Sequence, residues 1–292
     1  MIYSKNSSIN VKNKNNYKLA KKLKSIGKRV VLDFYKFLEK SKILKIYEKI
    51  LEESIDKDNL PKHIAIIMDG NRRTAEIYGK DRYYGHYLGA EKVREVLKWA
   101  RELGIKVVTL YAFSTENFNR PKEEVNKLME LFEKKFYEIA NDKEIHKYKV
   151  RVRAIGRIHL LPENVQRAIK YAEDKTKNYN NFFVNIAIAY GGQQEIIDAV
   201  KNIAWKVKIG EINPEDIDKE LIDKHLYTAD LEYPNPDLII RTSGEERISN
   251  FLIWQSSYSE LYFCDIYWPL FRRIDFLRAI REYQRRQRRF GR

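Results

Sequence analysis

The 292-residue sequence predicts an α/β fold, a mostly parallel central sheet flanked by helices, and three observations carry that prediction. From His63 onward, short continuously apolar runs alternate with longer stretches whose apolar residues return every three or four positions, which is strand alternating with amphipathic helix. Such alternation builds βαβ units, whose strands lie parallel and are covered on both faces. The polar, chemically capable residues gather just after the apolar runs, where open parallel sheets bind their ligands.

The elements follow in order. Residues 1–16 are rich in Asn, Lys and Ser, a composition too polar to build a core. Leu19, Leu23, Ile26, Val30, Phe34 and Leu38, then Leu44, Tyr47, Leu51 and Ile55, mark an amphipathic helix interrupted near Ser41. Lys57–Pro61 breaks the pattern, so a basic, partly helical extension over 1–60 is expected to precede a main domain over 61–292. In that domain HIAIIMD is the first strand, His86–Leu103 a helix stopped by Gly104, and KVVTLYAFS the next strand. Lys122–Ala140 is helical, VRVRAIG a strand, Glu163–Lys177 helical, FFVNIAIAYG a strand and Gln194–Lys208 helical. DLIIRTSG and ELYFCD are strands, and Ile274–Arg289 is the last helix.

Composition excludes several functions. The single cysteine, Cys264, rules out a disulfide scaffold or a Cys-based zinc cluster and suits a reducing cytoplasm. No apolar run reaches the length of a membrane span, and no apolar stretch follows the first charges as in a secretory signal. The net charge of +15 sits at the two ends: residues 1–60 hold 15 Lys/Arg against 7 acids, and residues 272–292 hold 9 Arg against 2. Residues 61–271 are neutral, with 32 of each sign, so the domain lacks the basic docking face of a nucleic-acid binder. Anionic ligands must therefore be held by a few placed arginines.

Three polar segments supply them. MDGNRR puts Asp69 at a strand tip, followed by Gly70, Asn71, Arg72 and Arg73; Arg82, His86 and Arg120 stand at similar tips or helix openings. A glycine-bearing loop that feeds a helix offers backbone N–H groups to an anion, and arginine offers phosphate a bidentate fork. IRTSGEERISNF holds Arg241, Ser243, Glu245, Arg247 and Ser249, a second set suited to a polyanion. Glu260 precedes an apolar strand and, with Asp69, is a candidate ligand for Mg²⁺, which takes one or two carboxylates together with substrate phosphates. Neither a Walker loop nor a dinucleotide fingerprint occurs, so the anion is not expected to be a nucleotide.

HIAIIMDGNRR, the RxxGH unit at Arg82–His86, LYAFSTENFNRP, IAYGG and PDLIIRTSGEERISNFLIWQSSYSELYF with its following WP resemble, in order, the signature regions of cis-prenyltransferases, the undecaprenyl- and dehydrodolichyl-diphosphate synthases. The resemblance covers residues 61–292. It implies a homodimer with a parallel-sheet core and a hydrophobic tunnel, condensing isopentenyl diphosphate onto an allylic primer (farnesyl or geranylgeranyl diphosphate) with Mg²⁺. By motif, Asp69 and Asn71 are the catalytic positions, and Asp69 and Glu260 the metal carboxylates. Gly70, Asn71, Arg73, Arg82, His86 and Arg120 are implied to surround the allylic diphosphate, Arg241, Arg247 and Ser249 to bind the isopentenyl diphosphate, and Arg72, Ser114, Glu116 and Asn117 to be further substrate-binding positions. Arg289 and Gly291 are expected to reach the partner subunit's site. Arg72, Thr74 and Leu270 stand where the family more often has Gly, Trp and an acid, departures that bear on primer choice and rate rather than on reaction class.

A non-catalytic partner subunit is the alternative, but such a subunit is expected to lose the metal Asp and the phosphate arginines, which this chain keeps. The basic amphipathic stretch before residue 60 suits a peripheral membrane contact on the cytoplasmic side, or packing against the protein's own surface or a dimer partner. The first placement lets a chain beginning near Asp58 keep its activity; the second does not.

Overall fold

Six strands, β1 (His63–Ile67), β2 (Val107–Ser114), β3 (Val150–Ile155), β4 (Phe182–Tyr190), β5 (Leu238–Arg241) and β6 (Glu260–Phe263), form one sheet in the order β3-β4-β2-β1-β5-β6. Every pairing is parallel. The computed structural model describes residues 42–286. The apolar runs of β1, β4 and β5 are continuous because these inner strands are buried on both faces. Ile64 and Ile66 enter one core with Val108, Leu110 and Ile240, while Ala65 and Ile67 enter a second with Ile239, Phe251 and Leu252.

The helices are α1 (Lys42–Glu53), α2 (Asn71–Ile77), α3 (Arg82–Leu103), α4 (Lys122–Ala140), α5 (Lys143–Lys147), α6 (Glu163–Thr176), α7 (Gly192–Lys208), α8 (Lys219–Asp223) and α9 (Arg273–Arg285). Helix α3 starts four residues before the predicted His86, because the Asp81 side chain caps it by accepting the Tyr84 N–H at 2.9 Å. It stops at Gly104, in the left-handed conformation, as the sequence predicts. The short helices α2, α5 and α8 carry too few turns for periodicity to reveal.

Packing continues across the expected boundary at residue 60. Helix α1 is docked on α9, where Arg273 binds Glu48 at 3.1 Å and forks onto Glu52 at 2.9 and 2.6 Å. Leu51 and Ile55 are buried in the main core, and Gln284 donates to the carbonyls of Asp56 and Asn59. Residues 42–60 therefore belong to the folded body, so a chain beginning at Asp58 would strip a face from the core. The stripe from Leu19 to Leu38 lies outside the described residues.

The buried Leu51 measures that docking. Leu51→Ala should cost about 2–5 kcal/mol, as large-to-small core changes do, read as a lower urea midpoint at unchanged slope. Ile46→Ala on the same helix, 59% exposed, should stay within about 0.5 kcal/mol.

Candidate active site

The sheet order reverses at β1 and β5: the chain leaves β1 toward β2 on one side and β5 toward β6 on the other. Ligands of open parallel sheets bind outside the carboxyl ends at such a switch point. Asp69, two residues past β1, stands there. Its backbone carbonyl accepts from the Trp268 N–H at 2.9 Å and the Thr242 hydroxyl at 2.7 Å. Its carboxylate lies between two guanidiniums, with Arg73 Nη2 at 3.1 Å from Oδ1 and Arg241 Nη2 at 2.9 Å from Oδ2. Partial burial works to raise the Asp69 carboxyl, but the hydrogen bond from Arg241 and the charges of Arg73 and Arg241 outweigh it and hold the carboxyl below its ordinary value. Gly70, at φ 109°, makes the turn into α2, and a Cβ there would meet the Tyr267 Cβ at 2.7 Å.

The loop after β5 is the second wall. Arg241, 4% exposed, donates through Nη1 to the Ser249 hydroxyl at 2.6 Å and to the Arg247 carbonyl. Ser243 accepts from Arg73 Nη2 at 2.7 Å, and Arg247 extends outward to Glu245 at 2.6 Å. Ser243, Ser249, Asn250 and Leu252 all have positive φ, a concentration of backbone strain of the kind found at binding loops. Asn250 ties this loop to its neighbours, donating to Glu116 at 3.2 Å and accepting the Gln193 N–H at the start of α7. Asn117 accepts the Ser114 N–H at 3.2 Å, which closes the turn after β2.

The remaining cationic positions converge on a residue the sequence reading missed. Glu124, in the first turn of α4, accepts Arg72 Nε at 2.8 Å and Nη2 at 2.7 Å, Arg82 Nη1 at 3.2 Å and Arg120 Nη1 at 3.3 Å. His86 Nε2 lies 3.3 Å away, and since a carboxylate only accepts, Nε2 carries the proton. Burial works against the ionised Glu124 carboxyl, but the hydrogen bonds and charges of Arg72 and the contacts of His86 and Arg120 hold it below its ordinary value. Burial, then the charge of Arg120, pulls His86 down to about 4, so the imidazole is neutral near pH 7. Arg72 sits inside a helix without positive φ, so its replacement of a glycine carries no backbone strain.

Between α3, α4 and the sheet runs an apolar cavity of about 180 Å³. Asn71 and His86 stand at its active-site end; Val150 and Phe182, the first residues of β3 and β4, line it at the opposite edge of the sheet. The Asn71 side chain donates to the Met68 carbonyl at 3.4 Å, and its Oδ1 is buried with no hydrogen-bond partner among the described residues. It fits there because α3 presents Gly89, where a Cβ would stand 2.2 Å from Asn71 Oδ1. Trp268 closes the other side, its indole N–H donating to the Gly89 carbonyl at 2.8 Å.

Glu260 is not brought to Asp69 within the chain. In register Glu260 is level with Leu238, and Leu238 with Ile64. Asp69 lies five residues beyond Ile64, about 16 Å along at ~3.3 Å per residue, at the opposite edge of the sheet. Glu260 binds Arg286 at 2.9 Å instead. Arg289 and Gly291 lie outside the described residues. Among the described residues no group of three His, Cys, Asp or Glu side chains can hold a metal. Asp69 alone, an ionised carboxylate among arginines, fits Mg²⁺ of the kind that takes most of its ligands from substrate phosphate and water.

Comparison with known proteins places this geometry. The family model described as "Putative undecaprenyl diphosphate synthase" matches residues 67–291. The chain belongs to the undecaprenyl diphosphate synthase family, the cis-prenyltransferases. It is 86% identical over 274 residues to a tritrans,polycis-undecaprenyl-diphosphate synthase (geranylgeranyl-diphosphate specific) of Methanocaldococcus jannaschii, covering 94% of this chain and 98% of that protein. A protein of the same name from Methanopyrus kandleri is 57% identical over 250 residues, 86% of this chain and 92% of that one. The crystal structure of lavandulyl diphosphate synthase from Lavandula x intermedia, in complex with dimethylallyl diphosphate, superposes with a TM-score of 0.75 at 38% identity, covering 80% of this chain and 99% of that one.

In this cis-prenyltransferase, Gly89, Trp268, Thr242 and Glu124 are the residues that sequence reasoning passed over. Gly89 carried a signal, the four-residue spacing of Gly85 and Gly89 on one face of α3. Gly89→Ala should displace the Asn71 carboxamide while leaving the fold intact. The expected result is a turnover loss of about 10²-fold, as a misplacement near 1 Å gives, at an unchanged thermal midpoint. Wild-type turnover in Gly89→Ala would remove the case for this contact.

Proposed function

We propose that the chain is a cis-polyprenyl diphosphate synthase that condenses isopentenyl diphosphate repeatedly onto geranylgeranyl diphosphate, giving an undecaprenyl-type diphosphate. One observation carries the reading: Asp69, clamped between Arg73 and Arg241 at the switch point, stands beside the mouth of an apolar cavity as tall as the sheet. An anionic head and a growing apolar tail have separate places there. The 86% identity to the Methanocaldococcus jannaschii protein supports the choice of primer. A partner subunit without catalysis would have no use for an intact Asp69 and two intact arginine sets.

The C–O bond of the allylic diphosphate breaks, the isopentenyl double bond attacks the allylic carbon, and the proton lost from the isopentenyl C2 leaves with the departing diphosphate. Arg73, Arg82 and Arg120 stabilise charge on the leaving group; Arg247 and Ser249 orient the isopentenyl diphosphate. Mg²⁺ on Asp69 would act as a Lewis acid toward phosphate oxygen. The neutral His86 donates its Nε2–H without adding charge. Asn71, at the cavity mouth, orients the reacting ends. A homodimer, and a cytoplasmic location with peripheral contact between the basic N-terminal residues and the membrane that receives the product, belong to the same proposal.

Labelled isopentenyl diphosphate with Mg²⁺ and either primer tests it. Geranylgeranyl diphosphate should be extended in preference to farnesyl diphosphate, with products resolved by mass, and Asp69→Ala should lower turnover by ~10²–10³, or about 3–4 kcal/mol. No incorporation by the wild-type protein would defeat the proposal. The two substrate sides should also separate kinetically. Arg247→Ala should raise KM for isopentenyl diphosphate, Arg82→Ala should raise KM for the primer, and Arg241→Ala, which carries both Asp69 and Ser249, should disturb both. Equal effects of Arg247→Ala and Arg82→Ala on the two substrates would refute the division.

A further inference from the structure

Glu124 collects four donor groups from three other segments: Arg72 from α2, Arg82 and His86 from α3, Arg120 from the turn after β2, all onto one carboxylate on α4. The carboxylate is itself fixed, its side chain 8% exposed and in the first turn of a 19-residue helix, where the helix dipole favours negative charge. Only Arg72 binds it with a two-pronged fork. Arg82 and Arg120 each spend one terminal nitrogen, which leaves the rest of each guanidinium for another anion. Three guanidiniums face one carboxylate across a neutral imidazole, so the array keeps a positive excess beside the cavity mouth, where His86 stands.

We propose that Glu124 is the positioning residue of the allylic-diphosphate cradle, holding Arg72, Arg82, Arg120 and His86 in one array from otherwise unconnected segments. The inference rests on the reading of the site as a prenyltransferase and adds a residue to it. Like-charged guanidiniums in a partly buried site repel with little screening, and without a central anion Arg82, 53% exposed, turns to solvent. A cradle assembled only on binding has its ordering cost deducted from affinity; one held by Glu124 meets it during folding. Arg72 is the anchor of the device rather than a hook for phosphate, because its fork is committed to Glu124. Glu124 makes no contact with Arg241, Arg247 or Ser249, so its influence is confined to the primer side.

The test is Glu124→Gln, which keeps the shape and removes the charge, with steady-state kinetics for both substrates and calorimetric titration of inorganic pyrophosphate. The expected result is a fall of about 10²-fold in kcat/KM for geranylgeranyl diphosphate, weaker pyrophosphate binding, and an unchanged KM for isopentenyl diphosphate. A merely structural role would not single out one substrate. Tighter primer and pyrophosphate binding would overturn the proposal, since Glu124 would then be competing with the anion; unchanged primer kinetics would overturn it too. Should Glu124→Gln lose its cooperative thermal transition, Arg72→Gln removes the fork while Glu124 stays, and must reproduce a primer-specific defect; a folded Arg72→Gln with normal primer kinetics overturns the proposal. A wild-type protein that extends no primer defeats the prenyltransferase reading instead, and the pyrophosphate titrations still decide the role of Glu124.

Discussion

Asp69 is the point from which the rest of the site is hung. Its carbonyl takes hydrogen bonds from Trp268 and Thr242, and its carboxylate takes one arginine from α2 and one from the end of β5. An ionised carboxylate in partial burial is tolerable only with such partners, and the arginines are in turn fixed by the charge they share. Arg73 reaches on to Ser243, and Arg241 to Ser249 and the Arg247 carbonyl, so the strained loop after β5 is held open by the pair that holds Asp69. The clamp also joins chemistry to packing: Trp268, which caps the Asp69 carbonyl, seals the Asn71 side chain against Gly89.

Two carboxylates thus divide the arginines. Asp69 serves Arg73 and Arg241 at the seam between β1 and β5; Glu124 serves Arg72, Arg82 and Arg120 above the cavity. Placing both anions beside excess cationic charge solves a recurring difficulty of diphosphate sites, which must be positive enough to bind and yet orderly before anything is bound. The neutral His86 belongs to the same economy, since a protonated imidazole would add a further cation to a set that already repels itself.

The sheet and the strand-tip residues were legible in the sequence because they depend on local pattern. His63–Ile67 reads as a buried strand, and whatever follows it must emerge at the carboxyl edge, as Asp69 and Arg73 do. Residues whose roles arise between segments were less legible. Glu124 looks like an ordinary acidic residue in a helical first turn, and only the tertiary fold shows that three guanidiniums and an imidazole meet there. Gly89 and Trp268 matter through a contact with Asn71 that no spacing encodes. The separation of Glu260 from Asp69 within one chain was contained in the sequence: Glu260 precedes a strand, whereas Asp69 follows one, and in a parallel sheet these are opposite edges. The docking of α1 depended on Glu48 and Glu52 meeting Arg273, more than 200 residues away.

The adjacency of β1 and β5 has a consequence for how the chain reaches this state. Strand β1 sits in mid-sheet, yet one neighbour, β5, begins 175 residues after it, and its first residue leans on late-arriving groups: the His63 N–H and ring meet Asp237 and the Tyr233 carbonyl. Long-range parallel pairing of this kind is slow, because loop closure must be achieved before any contact rewards it. During synthesis the early strands β2, β3 and β4 can assemble while one edge of β1 stays bare. Arg241, Thr242 and Trp268 emerge more than 170 residues after Asp69, so its carboxylate acquires its clamp late. A nascent chain is therefore sticky along one open strand until β5 is made, and shielding of that edge is what its biosynthesis most requires.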